Sequence, residues 1–137
     1  MNATVFYHIA AALFVIFAAG HTFGVLLLSP KTRDGLVLRD AMHATLLVPG
    51  RPRFTYGGVY RGFGLYITIY LLFAAFLSWH LAGLAATDPQ AIGALGPAFL
   101  AVQVVGLFLS LRYFSPPPVV MSILVVVCVG AAVWFTP

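Results

Sequence analysis

Four long apolar runs, at about residues 3–28, 59–83, 92–113 and 119–135, alternate with short polar stretches along the chain. A transmembrane helix needs about 20 apolar residues to cross roughly 30 Å of acyl chains, so each run predicts one crossing. The fourth is near the short limit and is expected to stand upright or in thinner bilayer. Between the first two runs, Leu36, Val37, Leu38, Ala41, Met42, Leu46 and Leu47 are interleaved with Arg39, Asp40 and His43. This loosely helical pattern predicts a short interfacial helix over about 34–48, closed by Pro49-Gly50. The run Ser115-Pro116-Pro117-Pro118 forbids continuation of the third helix and places proline at the start of the fourth. With brief connections after the second and third runs, the expected fold is an all-α membrane protein: a single domain, 1–137, of four transmembrane helices in an up-down bundle.

Composition agrees with a hydrocarbon solvent. Of 137 residues, 62% are apolar or aromatic and 7% charged, too few charges to cover a soluble fold of this size. Ala18-Ala19-Gly20 resembles a signal-peptidase site, but no Lys or Arg lies between Met1 and His21, so the first helix is expected to be retained. Cys128, the only cysteine, reads as a small buried side chain, and no zinc spacing is present.

Charge placement sets the expected orientation. Lys31, Arg33, Arg39, Arg51, Arg53 and Arg61 lie between the first two runs or at the mouth of the second, and Arg112 ends the third. All seven fall on one side of a four-span layout, whereas the other carries Asp88 and both termini. Short Lys/Arg-rich loops stay cytoplasmic, so the basic loop 29–61 is expected inside and both termini outside. A net charge of +4 suits anionic headgroups as partners and gives no support to nucleic acid.

Polar residues at membrane depth are the candidates for chemistry, because each is costly there. His21 lies about seven residues, roughly 10 Å, from the cytoplasmic end of the first run, and Tyr66, Thr68 and Gln103 come out at similar depth. Their convergence would make a cytoplasmic-side polar pocket, with His21 either ligand-facing or hydrogen-bonded between helices. Gly20 and Gly24 form a small-xxx-small pair expected to let another helix approach, and Thr22 is expected to bond back to its own helix. Arg61 is placed to meet an anionic head or lipid phosphate. His8 and His80, at matching depth near the outer side, are the candidate ligands for haem, with Tyr66, Tyr70, Phe73 and Leu77 continuing a stripe from His80; interfacial histidines beside Trp79 are the plainer alternative. His43, on the surface helix, is expected to be solvated. The three carboxylates, Asp34, Asp40 and Asp88, all lie in loops and the chain has no glutamate, which speaks against proton-coupled transport and charge-ring channels.

Gly20-His21-Thr22-Phe23-Gly24 and Tyr60-Arg61-Gly62-Phe63-Gly64-Leu65, with Met42 in the loop, resemble an uncharacterised family of short bacterial four-helix membrane proteins. That resemblance implies a bacterial inner membrane and a four-helix fold, marks His21, Gly62, Phe63 and Gly64, and names no activity. His8 and His80 fall outside it. The leading expectation is a bundle that binds an amphipathic molecule, lipid or quinone, in a cytoplasmic-leaflet pocket between the first three spans. There His21 and Gln103 hydrogen-bond its polar group, Tyr66 lines the cavity and Arg61 holds an anionic end. The alternatives are a lipid or isoprenoid enzyme with His21 as acid or base, an accessory subunit packing in a membrane complex or homo-oligomer, and a haem-binding electron-transfer module.

Overall fold

In the computed structural model, which describes residues 2–136, the chain is all-helical, with no strand among those residues. Its elements are α1 (Ala3–His21), a π-helical segment (Thr22–Leu27), α2 (Arg33–Ala44), α3 (Tyr56–Thr87), a 3-10 turn (Pro89–Ile92), α4 (Leu95–Tyr113) and α5 (Pro116–Trp134). Four helices, α1 with the first residues of the π segment, α3, α4 and α5, are long and apolar enough to cross a membrane, as expected of a multi-pass membrane protein. The expected surface helix is present as α2, none of whose residues is buried.

Several boundaries differ from the hydropathy reading: α2 ends at Ala44 rather than near 48, because the chain leaves the helix at Thr45 to double back, and α4 starts at Leu95, after the 3-10 turn that takes up Ile92. The first run is not one α-helix to residue 28: it turns π-helical after His21, with Leu28 N–H bonded to Phe23 O at 3.0 Å, five residues back. The second helix is 32 residues long and starts three residues before Val59. The Thr55 hydroxyl accepts from Gly58 N–H at 3.0 Å and caps the helix there, so its start is set by a hydrogen bond rather than by apolarity.

The chain divides into two compact units. The first, 1–17 with 71–137, buries a stripe from each of its four helical segments. These are Ala3, Tyr7, Ala10 and Phe14 on α1, Leu71, Ala74, Ala75, Ser78, Leu81 and Ala82 on α3, Gly96, Phe99, Gln103 and Ser110 on α4, and Ser122, Val125, Val129 and Ala132 on α5. The spacings of three and four residues are those of one helix face. Many of these residues are small, which lets backbones approach where lipid supplies no hydrophobic drive to association. Phe14 and Phe99 meet with ring centres 5.8 Å apart, and Ser110 and Ser122 share a buried hydrogen bond of 2.9 Å.

The second unit, 18–70, holds the end of α1, the π segment, α2 and the start of α3. The Thr32 hydroxyl caps α2 by accepting from Gly35 N–H at 3.1 Å. Beyond α2 the chain doubles back, Leu46 bridging Thr55. The turn at its tip has Pro49 followed by Gly50 at φ 74°, with Arg51 N–H bonded to Val48 O at 3.1 Å, the residue order a type II turn requires. A Cβ on Gly57 would lie 2.7–2.9 Å from three atoms of the His43 ring, so α2 rests on α3 through that imidazole. His43 is exposed, as its place on a surface helix suggested, and one side of its ring rests against Gly57.

Gly57→Ala is expected to push the His43 ring aside and loosen α2, read as faster tryptic cleavage at Arg39 and Arg53. Gly62→Ala, where a Cβ meets open space, should leave cleavage unchanged and thermal stability equal or up to about 1 kcal/mol higher.

Candidate functional site

The polar residues of the second unit meet on one backbone carbonyl. His21 Nε2 lies 3.0 Å from Gly64 O, and the Thr68 hydroxyl bonds the same oxygen at 3.2 Å. A carbonyl only accepts, so Nε2 is the donor in this contact. One residue on, the Thr22 hydroxyl donates to Ala18 O at 2.8 Å and stands 3.0 Å from Thr68 Oγ1. The two hydroxyl hydrogens face three contacts, two carbonyls and each other, so two of the three are made at a time. The back-bond of Thr22 is the one expected from sequence, and the grouping of His21 with Thr68 matches their equal depth.

The other residues of the expected pocket differ in exposure. Tyr66 is 75% exposed, and Arg61 is also exposed. Gln103 is buried on α4 within the first unit. Gly20 and Gly24 have no helix of this chain close against them: a Cβ on either would find nothing within 4 Å, which corrects the expectation of a pinch point within the chain. His8 and His80 are exposed, because the buried stripe of α1 runs through Tyr7 and turns His8 outward. The His80 ring stacks on Phe76 at 6.2 Å, and the haem reading gains no support from this placement. Among the described residues no group of three or more His, Cys, Asp or Glu is placed to hold a metal ion.

A cavity of about 560 Å³ does lie in the second unit, but on a different set of residues. Its walls come from Gly24, Leu28, Ser29 and Pro30 after α1, from Gly57 and Tyr60 on α3, and from Gly35, Leu38, Arg39, Met42 and His43 on α2. The α2 positions are spaced i, i+3, i+4, i+7 and i+8, which is one helix face. Arg39 is fixed at the rim: Nε and Nη2 donate to Asp40 at 3.1 and 2.9 Å, and Nη1 to Ser29 Oγ at 3.3 Å. Of the five guanidinium N–H groups, these three contacts leave two without a side-chain partner. The cavity thus joins apolar walls to one cation and one imidazole. Sequence reasoning passed over Arg39 because its interfacial position explained the charge; the signal present was the shared face of residues 35, 38, 39, 42 and 43.

His21→Ala should cost about 1 kcal/mol of thermal stability in detergent by removing the tie to Gly64. His21→Gln, whose amide N–H reaches a similar distance, should recover most of it; equal losses in both variants would show that the tie contributes nothing.

No family model matches the chain, and no curated protein or solved structure is found to be similar to it.

Proposed function

We propose that the protein is a four-span inner-membrane protein, arranged up-down with both termini outside, that binds an anionic amphiphile in the cavity between α2 and the helix ends beside it. The observation that carries this reading is the wall chemistry: Leu28, Pro30, Leu38 and Met42 supply apolar surface, while Arg39 and His43 present donors on the same face. Cavities of about 300–1,000 Å³ with apolar walls and a few placed polar groups are the usual form of a small-ligand site. A guanidinium with two N–H groups uncommitted favours a phosphate over the neutral ring of a quinone. The seven cationic residues support a cytoplasmic location for this side, where anionic lipid is enriched. The resemblance carried by the Gly-His-Thr and Gly-Phe-Gly-Leu segments supports a bacterial membrane. In this reading His21 is an interhelical tie and not the ligand's partner.

A second reading, an accessory subunit that packs against a partner, is favoured by Gly20, Gly24 and Gly62, which leave open space on the helix surface. The two readings separate on purification. Protein extracted in mild detergent and analysed by native mass spectrometry should retain a diacyl phospholipid with an anionic head. Arg39→Ala should weaken this retention by about tenfold or more, as expected for a charge-assisted hydrogen bond. A wild-type protein carrying only bulk lipid, together with a stoichiometric protein partner, would instead establish the packing subunit.

Orientation has its own check. In a Cys128→Ser background, a membrane-impermeant thiol reagent added to intact cells should label Asp88→Cys and spare Arg51→Cys; the reverse pattern would invert the topology.

A further inference from the structure

The wall of the Arg39 cavity holds more polar groups than a phosphate needs. Ser29 Oγ accepts from Arg39 Nη1 at 3.3 Å, and the hydrogen of that hydroxyl remains available to donate. His43 and Tyr60 also line the cavity, and neither the imidazole nitrogens nor the phenol hydroxyl has a hydrogen-bond partner among the described residues. Three uncommitted groups thus accompany one guanidinium. A smaller cavity of about 360 Å³ in the first unit, with Tyr7 and Gln90 in its wall, has no charged side chain among its described lining residues.

The accompanying groups differ in kind from the guanidinium, which only donates, because a hydroxyl and a neutral imidazole both donate and accept. A ligand head that matches them must do both. An ammonium has three donors and no acceptor, and it would stand beside Arg39 with no carboxylate among the described wall residues. Asp40 lies outside that wall and takes two bonds from Arg39. A phosphomonoester would bring most of a second negative charge to a wall with one guanidinium, whereas a phosphodiester brings one. Hydroxyl groups on a phosphodiester therefore fit what the wall offers.

We propose that the Arg39 cavity selects a phosphodiester lipid whose head carries free hydroxyls, of the phosphatidylglycerol kind. The guanidinium holds the phosphate, and Ser29, His43 and Tyr60 hydrogen-bond the head hydroxyls. This inference rests on the reading of the cavity as a site for an anionic amphiphile, and adds to it the chemistry of the head.

The test offers the full chain, in mild detergent, three dioleoyl lipids at equal concentration and reads those retained by native mass spectrometry. Phosphatidylglycerol is the first; phosphatidylmethanol has the same charge and no head hydroxyl, and phosphatidylethanolamine has an ammonium instead. Phosphatidylglycerol is expected to be retained about tenfold over either of the others, as two hydrogen bonds to its hydroxyls imply. Tyr60→Phe, which leaves the contacts of Arg39 intact, should cut the ratio of phosphatidylglycerol to phosphatidylmethanol by about threefold. Adding Ser29→Ala should bring that ratio close to one, and because Ser29 also holds Arg39, the ratio cancels any loss felt through the phosphate. Equal retention of phosphatidylglycerol and phosphatidylmethanol, equal retention of phosphatidylglycerol and phosphatidylethanolamine, or a ratio unmoved in both variants would overturn the hydroxylated head. The first and third of these results would leave the anionic-amphiphile reading standing, whereas retention of none of the three lipids would overturn both.

Discussion

Hydrocarbon offers a polar group no partner, so each hydroxyl, imidazole and carbonyl at membrane depth must be satisfied by the chain itself or by something the chain binds. The threonines show the cheapest solution. Thr22, Thr68, Thr87 and Thr136 each reach back to the carbonyl four residues earlier, on Ala18, Gly64, Gly83 and Ala132. Where the helix cannot satisfy a group by itself, pairing is tertiary: Ser110 finds Ser122, and His21 finds Gly64. The second case fixes local geometry as well. His21 is the last α-helical residue before the π-helical turn, so the tie to Gly64 anchors the chain where its winding changes. Short π-helical turns recur at functional sites, and here the turn leads directly into residues that wall the Arg39 cavity.

The helical content of the fold was legible because run length and charge placement report on solvent, and solvent dominates here. Helix ends were less so, since they answer to capping and winding. At about 1.5 Å per residue the 32 residues of α3 extend roughly 48 Å, well beyond an acyl core of about 30 Å. Hydropathy marks the part of α3 within the core; the Thr55 cap and the 3-10 turn at Pro89 mark the helix. Likewise the first apolar run gave no sign of the change at His21, because π and α turns accept the same residues. The short helix α2 was readable from its mixed pattern, although it ends at Ala44, earlier than that pattern.

The candidate sites were legible only in part, because depth can be counted along a sequence while direction cannot. Equal depth correctly joined His21 to Thr68, yet it also grouped Tyr66, which points its ring outward. Glycine has the same ambiguity. Gly20, Gly24 and Gly62 face open space, whereas Gly57 and Gly96 are the positions where a Cβ would collide, against His43 and against Ile92 and Tyr7. Nothing in the local sequence distinguishes the two sets, since a glycine's role depends on what another segment places beside it. The face of α2 that walls the cavity was present in the spacing, but an amphipathic helix at an interface accounts for such spacing without a cavity.

The two cavities differ in the property that selects a ligand most sharply, which is charge. One presents a guanidinium held by Asp40 and Ser29 and an imidazole over apolar walls; the other presents a phenol and an amide and no charge. Moving an anion into the uncharged cavity would strip its hydration without return, so the proposal of an anionic ligand applies to the Arg39 cavity alone. Conversely, a neutral head at Arg39 would leave two donors of a cation facing an apolar ligand, so a phosphate is the better match there. The proposed preference for an anionic amphiphile therefore rests on the guanidinium of Arg39 more than on the size of the cavity beside it.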